Sequence, residues 1–397
     1  MMLHMLFLIF SFSNIIFCII ILPFEESLAF NSYENLVYNH LFSEIKIGNL
    51  KNKIIIYFTL DSSNIYIPKQ FYEKNPSKTL KYLDSNINNY PIKKNNVYGF
   101  HTIDTLNINN FELNYSFILV ESSEKNLSNT NGIIGLQNNK NTNGNKSLIN
   151  FFYEKKIINS LILTVKYTSD KKGEIIIGDY PHLYDNNYQE KNLKIISHHD
   201  KEYSMKFEDI IFSNKEKEVN INVIFSLELK GIVGSNLYKK FINENFFEYY
   251  LLNKKCKIEL INNEFYIYIC QDIDITKFPS IIFESKILNM NFEMTYKDLF
   301  FEKNGIFYFL VYFEKITNFK WILGEIFVKK YQIIIDFQNG IIGFYSSIGK
   351  KNKFLFIFIL CILIICIFIL SALIFKLLFY KIKKIKANEL EDFLILY

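Results

Sequence analysis

Between its two apolar ends this chain carries its hydrophobic residues in short, interrupted runs. That pattern constrains the fold more than any other feature. Ile54-Ile55-Ile56-Tyr57-Phe58, Phe117-Ile118-Leu119-Val120, Leu161-Ile162-Leu163-Thr164-Val165, Ile175-Ile176-Ile177 and Ile333-Ile334-Ile335 are β-branched or aromatic, with Gly, Asn and Asp punctuating the chain around them. Runs this short are strand-sized, and Asn236 to Tyr250 is the clearest helical segment outside the ends. Many short strands with few helices indicate an all-β architecture. The Asn/Lys/Gly-rich tract from Gln137 to Lys146 reads as a surface insertion.

The chain has 397 residues, half of them hydrophobic (50%), enough for one large bilobal domain or two medium ones. A formal charge of +5 on this length, with no dense basic cluster outside the C-terminal tail, argues against nucleic acid as a partner. Asn, Lys, Ile, Phe and Tyr dominate, so the many aromatics carry little functional information by number alone.

The ends set the expected topology. Met5 to Leu22 is uncharged and is followed by Pro23, Glu25, Glu26 and the small-residue sequence Ser27-Leu28-Ala29. This reads as a signal peptide over residues 1–29; the other reading is an uncleaved signal anchor, since no Lys or Arg precedes the run. Phe354 to Phe375 is apolar apart from Ser371, and at ~1.5 Å per residue it is long enough to cross a ~30 Å hydrocarbon core. Lys376, Lys381, Lys383, Lys384 and Lys386 outnumber Lys350, Lys351 and Lys353, which favours a cytosolic C-terminus. The expectation is a single-pass type I membrane protein whose folded part lies in the secretory lumen or at the cell surface, anchored by residues 354–375, with 376–397 as cytosolic tail. In that tail, Glu391-Asp392-Phe393-Leu394-Ile395-Leu396 resembles an acidic dileucine sorting sequence, or is simply a short amphipathic end.

Of five cysteines, only Cys256 and Cys270 lie between the apolar ends, in what reads as a hairpin; an oxidising compartment favours a disulfide between them over two buried thiols. Asn114-Tyr115-Ser116, Asn126-Leu127-Ser128 and Asn145-Lys146-Ser147 are glycosylation sequons of a kind that arises easily in an Asn-rich chain. His198-His199-Asp200 has no further Cys or His at metal-ligand spacing and reads as an inter-lobe loop, so neither a metal nor a cofactor is expected. Lys215-Glu216-Lys217-Glu218 reads as an exposed hairpin turn. No Ser/His/Asp arrangement or phosphate-binding Gly loop is evident.

Several segments occur in an order that resembles the pepsin-like aspartic proteases, and among them the membrane-anchored, plasmepsin-type members. Ser62-Ser63-Asn64-Ile65-Tyr66-Ile67-Pro68 resembles the segment after the first Asp-Thr-Gly of that family. Gly99 with Asp104-Thr105-Leu106 resembles the end of the flap hairpin, and Asn131-Gly132-Ile133-Ile134-Gly135-Leu136 the hydrophobic-hydrophobic-Gly motif. Gly173-Glu174-Ile175-Ile176-Ile177-Gly178 is similar to the strand pair closing the first lobe, and Tyr203 to the aromatic opening the second. Trp321-Ile322-Leu323-Gly324-Glu325 through Tyr331, continued by Asp336 to Gly343-Phe344, resembles the late Trp-Ile-Leu-Gly-Asp motif. The resemblance spans about Phe42 to Ser346. It implies a bilobal pepsin-like fold, with a first lobe over residues 30–190, a second over 191–348, and a cleft that takes a peptide or protein segment.

The same resemblance exposes a departure. The family needs two carboxyls sharing one proton, one as acid and one as base, to activate water. Here Thr59-Leu60-Asp61 and Ser226-Leu227-Glu228 stand where each lobe should carry Asp-Thr-Gly. Thr59 and Ser226 take the aspartate positions, Leu60 and Leu227 those of the bracing threonines, and Asp61 and Glu228 those of the glycines. Tyr90 is a candidate flap tyrosine, but Pro91-Ile92-Lys93-Lys94 replaces the Gly-rich turn. The sequence therefore reads as a pseudoprotease that binds or scaffolds without cutting. The alternative is an active endopeptidase using a displaced Asp61/Glu228 acid pair.

Overall fold

The computed structural model describes residues 19–26, 34–90, 92, 96–123, 132–138, 146–197, 203–212, 215–315, 320–346 and, further on, 370, 371, 373, 374 and 376. Met1–Ser347 form one unit and Ile348–Tyr397 another. The tract 139–145, His198-His199-Asp200, the sequons at Asn126 and Asn145, and nearly all of 354–375 with its tail lie outside the described residues. Among the described residues no helix is long and apolar enough to cross a membrane.

The first unit is mostly β, in two large mixed sheets of 14 and 11 strands. The five runs singled out above form strands Asn52–Thr59, Phe111–Ser123, Ile162–Tyr167, Lys172–Ile177 and Ile334–Asp336, with Leu161 and Ile333 just ahead of theirs. The expected helix is present as three continuous pieces, an α-helix over Asn236–Ile242, a π turn over Asn243–Phe247 and a second α-helix over Glu248–Leu252. Lys215 to Glu218 are not the turn itself: they open the strand Lys215–Phe225, which pairs back on Met205–Phe212.

Strand β1 is Ile20–Glu26, inside the stretch that reads as a signal peptide through Ala29. It pairs antiparallel with Lys172–Ile177 from Ile20↔Ile177 to Glu25↔Lys172, and with β2 (Leu41–Ile47) at Glu25↔Phe42 and Glu26↔Leu41. Ile20, Leu22 and Phe24 point into the core while Pro23 and Glu25 face out. That two-residue alternation is the mark of a strand with one buried face. Cleavage at Ala29 would detach β1 from the chain whose sheet it completes.

The sequence boundary between lobes at residue 190 does not divide the sheets. Leu193–Ser197, Ile334–Asp336 and Ile341–Tyr345 all join the 14-stranded sheet, beside Ile162–Tyr167. One continuous core follows, running from Ile20 and Phe58 through Phe152 to Trp321 and Phe344.

Two substructures repeat. In the first, β3 (Asn52–Thr59) pairs parallel with Gly132–Gly135, which pairs antiparallel with β4 (Ile65–Pro68), which pairs parallel with Phe111–Ser123. In the second, Lys215–Phe225 pairs parallel with Trp321–Leu323, which pairs antiparallel with Ile232–Gly234, which pairs parallel with Val311–Glu314. The central strands Gly132–Gly135 and Ile232–Gly234 are buried at every residue, as strands covered on both faces should be.

The candidate ligand-binding cleft loops

Each repeat joins its first strand to its third through a short loop; Thr59, which ends its strand, stands six residues before Ile65, and Ser226, which follows its strand, six before Ile232. The equivalence sets Thr59 against Ser226, Leu60 against Leu227 and Asp61 against Glu228.

The first residue of each loop is a buried hydroxyl, Thr59 at 0% and Ser226 at 3% exposure. Both accept hydrogen bonds from the backbone just ahead. Asp61 N–H donates to Thr59 Oγ1 at 3.0 Å, and Glu228 and Leu229 N–H donate to Ser226 Oγ at 3.2 and 3.3 Å. Short hydroxyl side chains cap turns in this way. The second residues, Leu60 and Leu227, are buried in the shared core. The third, Asp61 and Glu228, are partly exposed.

A glycine lies tight under each loop. A Cβ on Gly135 would come within 2.4 Å of Ser62 O, and one on Gly324 within 2.1 Å of Gly231 O and 2.3 Å of Leu229 O. Only glycine lets two backbones approach so closely. The loops are tied down by Leu136 N–H to Thr59 O and Ser226 N–H to Leu323 O, at 2.8 and 3.0 Å.

The second loop is also gripped by residues 36–40. Asn39 N–H donates to Glu228 O, and Lys230 N–H to Val37 O. His40, Tyr57 and Tyr38 lie in the field of the Glu228 carboxylate. Burial lowers the His40 pKa and Glu228 opposes that shift; the buried Nδ1 of His40 has no hydrogen-bond partner. Burial, aided by Glu228, pushes the Tyr57 phenol far up, and Tyr38 follows for the same reason plus its 2.8 Å bond to Glu264. Nothing in the sequence marked these neighbours of Glu228, because they come from the segment before β2 and from β3.

Tyr90 sits at the end of Asn88–Asn89, which pairs with Val97–Ile108 as one arm of a hairpin, and its N–H donates to Val97 O at 2.7 Å. Its ring is buried against Tyr66, Val97 and Ile118, with Tyr57 alongside. Pro91 and Lys93-Lys94 at the tip lie outside the described residues. The expected disulfide is present, joining the register pair Cys256↔Cys270. Among the described residues no group of three or more His, Cys, Asp or Glu is arranged for a metal.

The paired loops, their glycine floors and the repeated strand order have a counterpart in known proteins. A family model described as Eukaryotic aspartyl protease matches residues 41–347. The chain belongs to this aspartyl protease family. No curated protein matches it. The match begins at the first residue of β2, so β1 and the segment that grips the second loop precede the family region. Within that region the hydrophobic-Gly segment and the Trp321 segment become the central paired strands beneath the two loops.

Proposed function

We propose that this member of the aspartyl protease family is a membrane-anchored binding protein that does not cut. Its cleft would hold a peptide or protein segment, and residues 354–375 would anchor it with the folded part on the lumenal or extracellular side. The observation that carries the reading is the state of Thr59 and Ser226. Both are buried, both are hydroxyls, and both are occupied as acceptors for the backbone of their own loops. A hydroxyl needs an adjacent base to replace a carboxylate in water activation. The full chain in detergent, incubated with a peptide library at acid pH, should yield no cleavage while still retaining peptides on a pull-down.

A second reading keeps proteolysis through Asp61 and Glu228. What favours it is that these are the partly exposed acids at equivalent positions of the two loops. It requires peptide cleavage that disappears in both Asp61→Asn and Glu228→Gln. Cleavage that survives either substitution, or no cleavage at all, excludes it.

A further inference from the structure

The last residue of β1 is Glu26, with its side chain only 10% exposed and its Oε1 buried without a hydrogen-bond donor. Its neighbour is a second carboxyl. Glu325 opens the helix Glu325–Tyr331, is 3% exposed, and lies one turn before Lys329, whose Nζ is 3.8 Å from Glu26 Oε1. Two ionised carboxylates are acceptors only and cannot satisfy one another. A single proton changes this: one carboxyl becomes a donor, the other an acceptor, and the repulsion is removed.

The surrounding groups do not supply that donor otherwise. On the same helix, Lys329 Nζ stays 3.8 Å from Glu26 Oε1, and it donates to the Asp170 carbonyl while lying 3.8 Å from the Asp170 carboxylate. From the segment before β2, Asn39 Nδ2 donates to Glu325 Oε2. Lys230, on the second loop, acts on Glu325 only through its field. Tyr167 and Tyr312 face the pair from the strands Ile162–Tyr167 and Val311–Glu314. Burial pushes both phenols up, aided by Glu325 at each and by Glu26 at Tyr167, and the Tyr312 hydroxyl is spent on Leu36 O.

We propose that Glu26 and Glu325 share one proton, and that this proton latches strand β1 onto the corner formed by the second loop and the helix Glu325–Tyr331. The corner is continuous with the loop: Glu325 N–H donates to Leu229 O, and Asn39, which holds Glu325 through its side chain, donates its own N–H to Glu228 O. The latch makes the N-terminal strand a pH-operated element wired to the loop that carries Ser226 and Glu228. Burial, and next the Glu26 charge, push Glu325 up to about 8. A folded-state pKa above the unfolded value means the folded chain holds the proton more tightly. The latch is therefore fully closed below the ordinary carboxyl range, and it is lost as pH rises through about 8. An acidified compartment closes it; a neutral or mildly alkaline one loosens it.

Hydrogen–deuterium exchange of the full chain in detergent tests this, at about pH 5 and about pH 8.5 with rates corrected for intrinsic pH dependence. Peptides covering residues 20–26 and 172–177 should exchange about tenfold or more faster at the higher pH, the change expected from losing about one pKa unit of coupling. Glu325→Gln supplies a permanent neutral donor and should leave β1 equally protected at both values. Difference infrared at about pH 6 should show one protonated carboxyl C=O stretch that is absent in Glu325→Gln. The idea is overturned by flat wild-type protection, by an unchanged pH dependence in Glu325→Gln, or by absence of the protonated carboxyl band. If Glu325→Gln does not fold, Glu26→Gln, which removes the charge that adds to burial, must move the loss of β1 protection to lower pH, and an unmoved profile counts equally against the proposal.

Discussion

Replacing Ser226 by Ala asks directly whether its hydroxyl is there for chemistry or for the loop. The hydroxyl accepts two backbone N–H groups, from Glu228 at 3.2 Å and Leu229 at 3.3 Å. Glu228 is partly exposed, so water can replace its lost partner, at a net cost of about 0.5–1.5 kcal/mol. Leu229 is buried, and its orphaned N–H adds the desolvation penalty of an unpaired donor, about 1–3 kcal/mol. The sum is about 1.5–4.5 kcal/mol, larger than the about 1 kcal/mol expected of Thr59→Val, where the single donor belongs to the partly exposed Asp61. The chain provides its own reporter. Its one tryptophan, Trp321, is fully buried and pairs in register with Val223, three residues before Ser226. Urea unfolding followed by its fluorescence should show the midpoint fall in the order Ser226→Ala, then Thr59→Val, then wild type. Ser226→Ala within about 0.3 kcal/mol of wild type, where surface changes commonly lie, would refute the bracing role.

Three further outcomes follow from the same geometry. Thr59→Asp with Ser226→Asp keeps acceptors for the same N–H groups and restores two carboxyls, so the double variant should gain acid-pH binding of a statine-type inhibitor, measured calorimetrically, while neither single variant does. Gly324→Ala drives a Cβ to 2.1 Å from Gly231 O, and the backbone strain should cost about 3 kcal/mol or more or leave no folded protein, read by the same fluorescence assay. Deleting residues 1–29 removes the buried side chains of Ile20, Leu22 and Phe24, each worth about 1.5–3 kcal/mol. That chain should aggregate, and adding back a peptide of residues 19–29 should rescue it; a soluble, fully cooperative truncated chain would show that β1 is dispensable.

How far the fold was legible depended on whether the signal was local. β-branched runs such as Ile54–Phe58 declare a strand within five residues, and Gly135 and Gly324 lie in short motifs that keep their glycines. The Cys256–Cys270 pair was readable because both residues sit in one hairpin. Residues 20–26 were not, since an uncharged apolar run reads alike as a membrane-bound segment and as a buried strand. What distinguishes them here is the alternation Ile20, Leu22, Phe24 against Ile21, Pro23, Glu25, and it gains meaning only once Lys172–Ile177 is beside it. Glu325 was visible as the acid following Trp-Ile-Leu-Gly, but its partner Glu26 lies before the family region and no spacing links them. The setting of Glu228 was equally hidden, because His40 and Tyr57 reach it only through tertiary packing.

The two loops also differ from what loss of catalysis alone would leave. Removing an aspartate from an active loop leaves N–H groups without an acceptor and a glycine free to move. Here each position is filled so that the loop closes on itself: a hydroxyl accepts the N–H groups, a leucine enters the core, and an acid stands partly in solvent. The same solution appears in both repeats, so the floor holds its shape with no charge buried at the first position. The third position of the second loop has a defined setting. Glu228 has His40, Tyr57 and Tyr38 in its field and is held through its carbonyl by Asn39. Backbone bonds from Asn39 N–H to Glu228 O and from Lys230 N–H to Val37 O join this loop to the first half of the chain. In the second repeat the loop is thus tied to the segment before β2 as well as to its own strands.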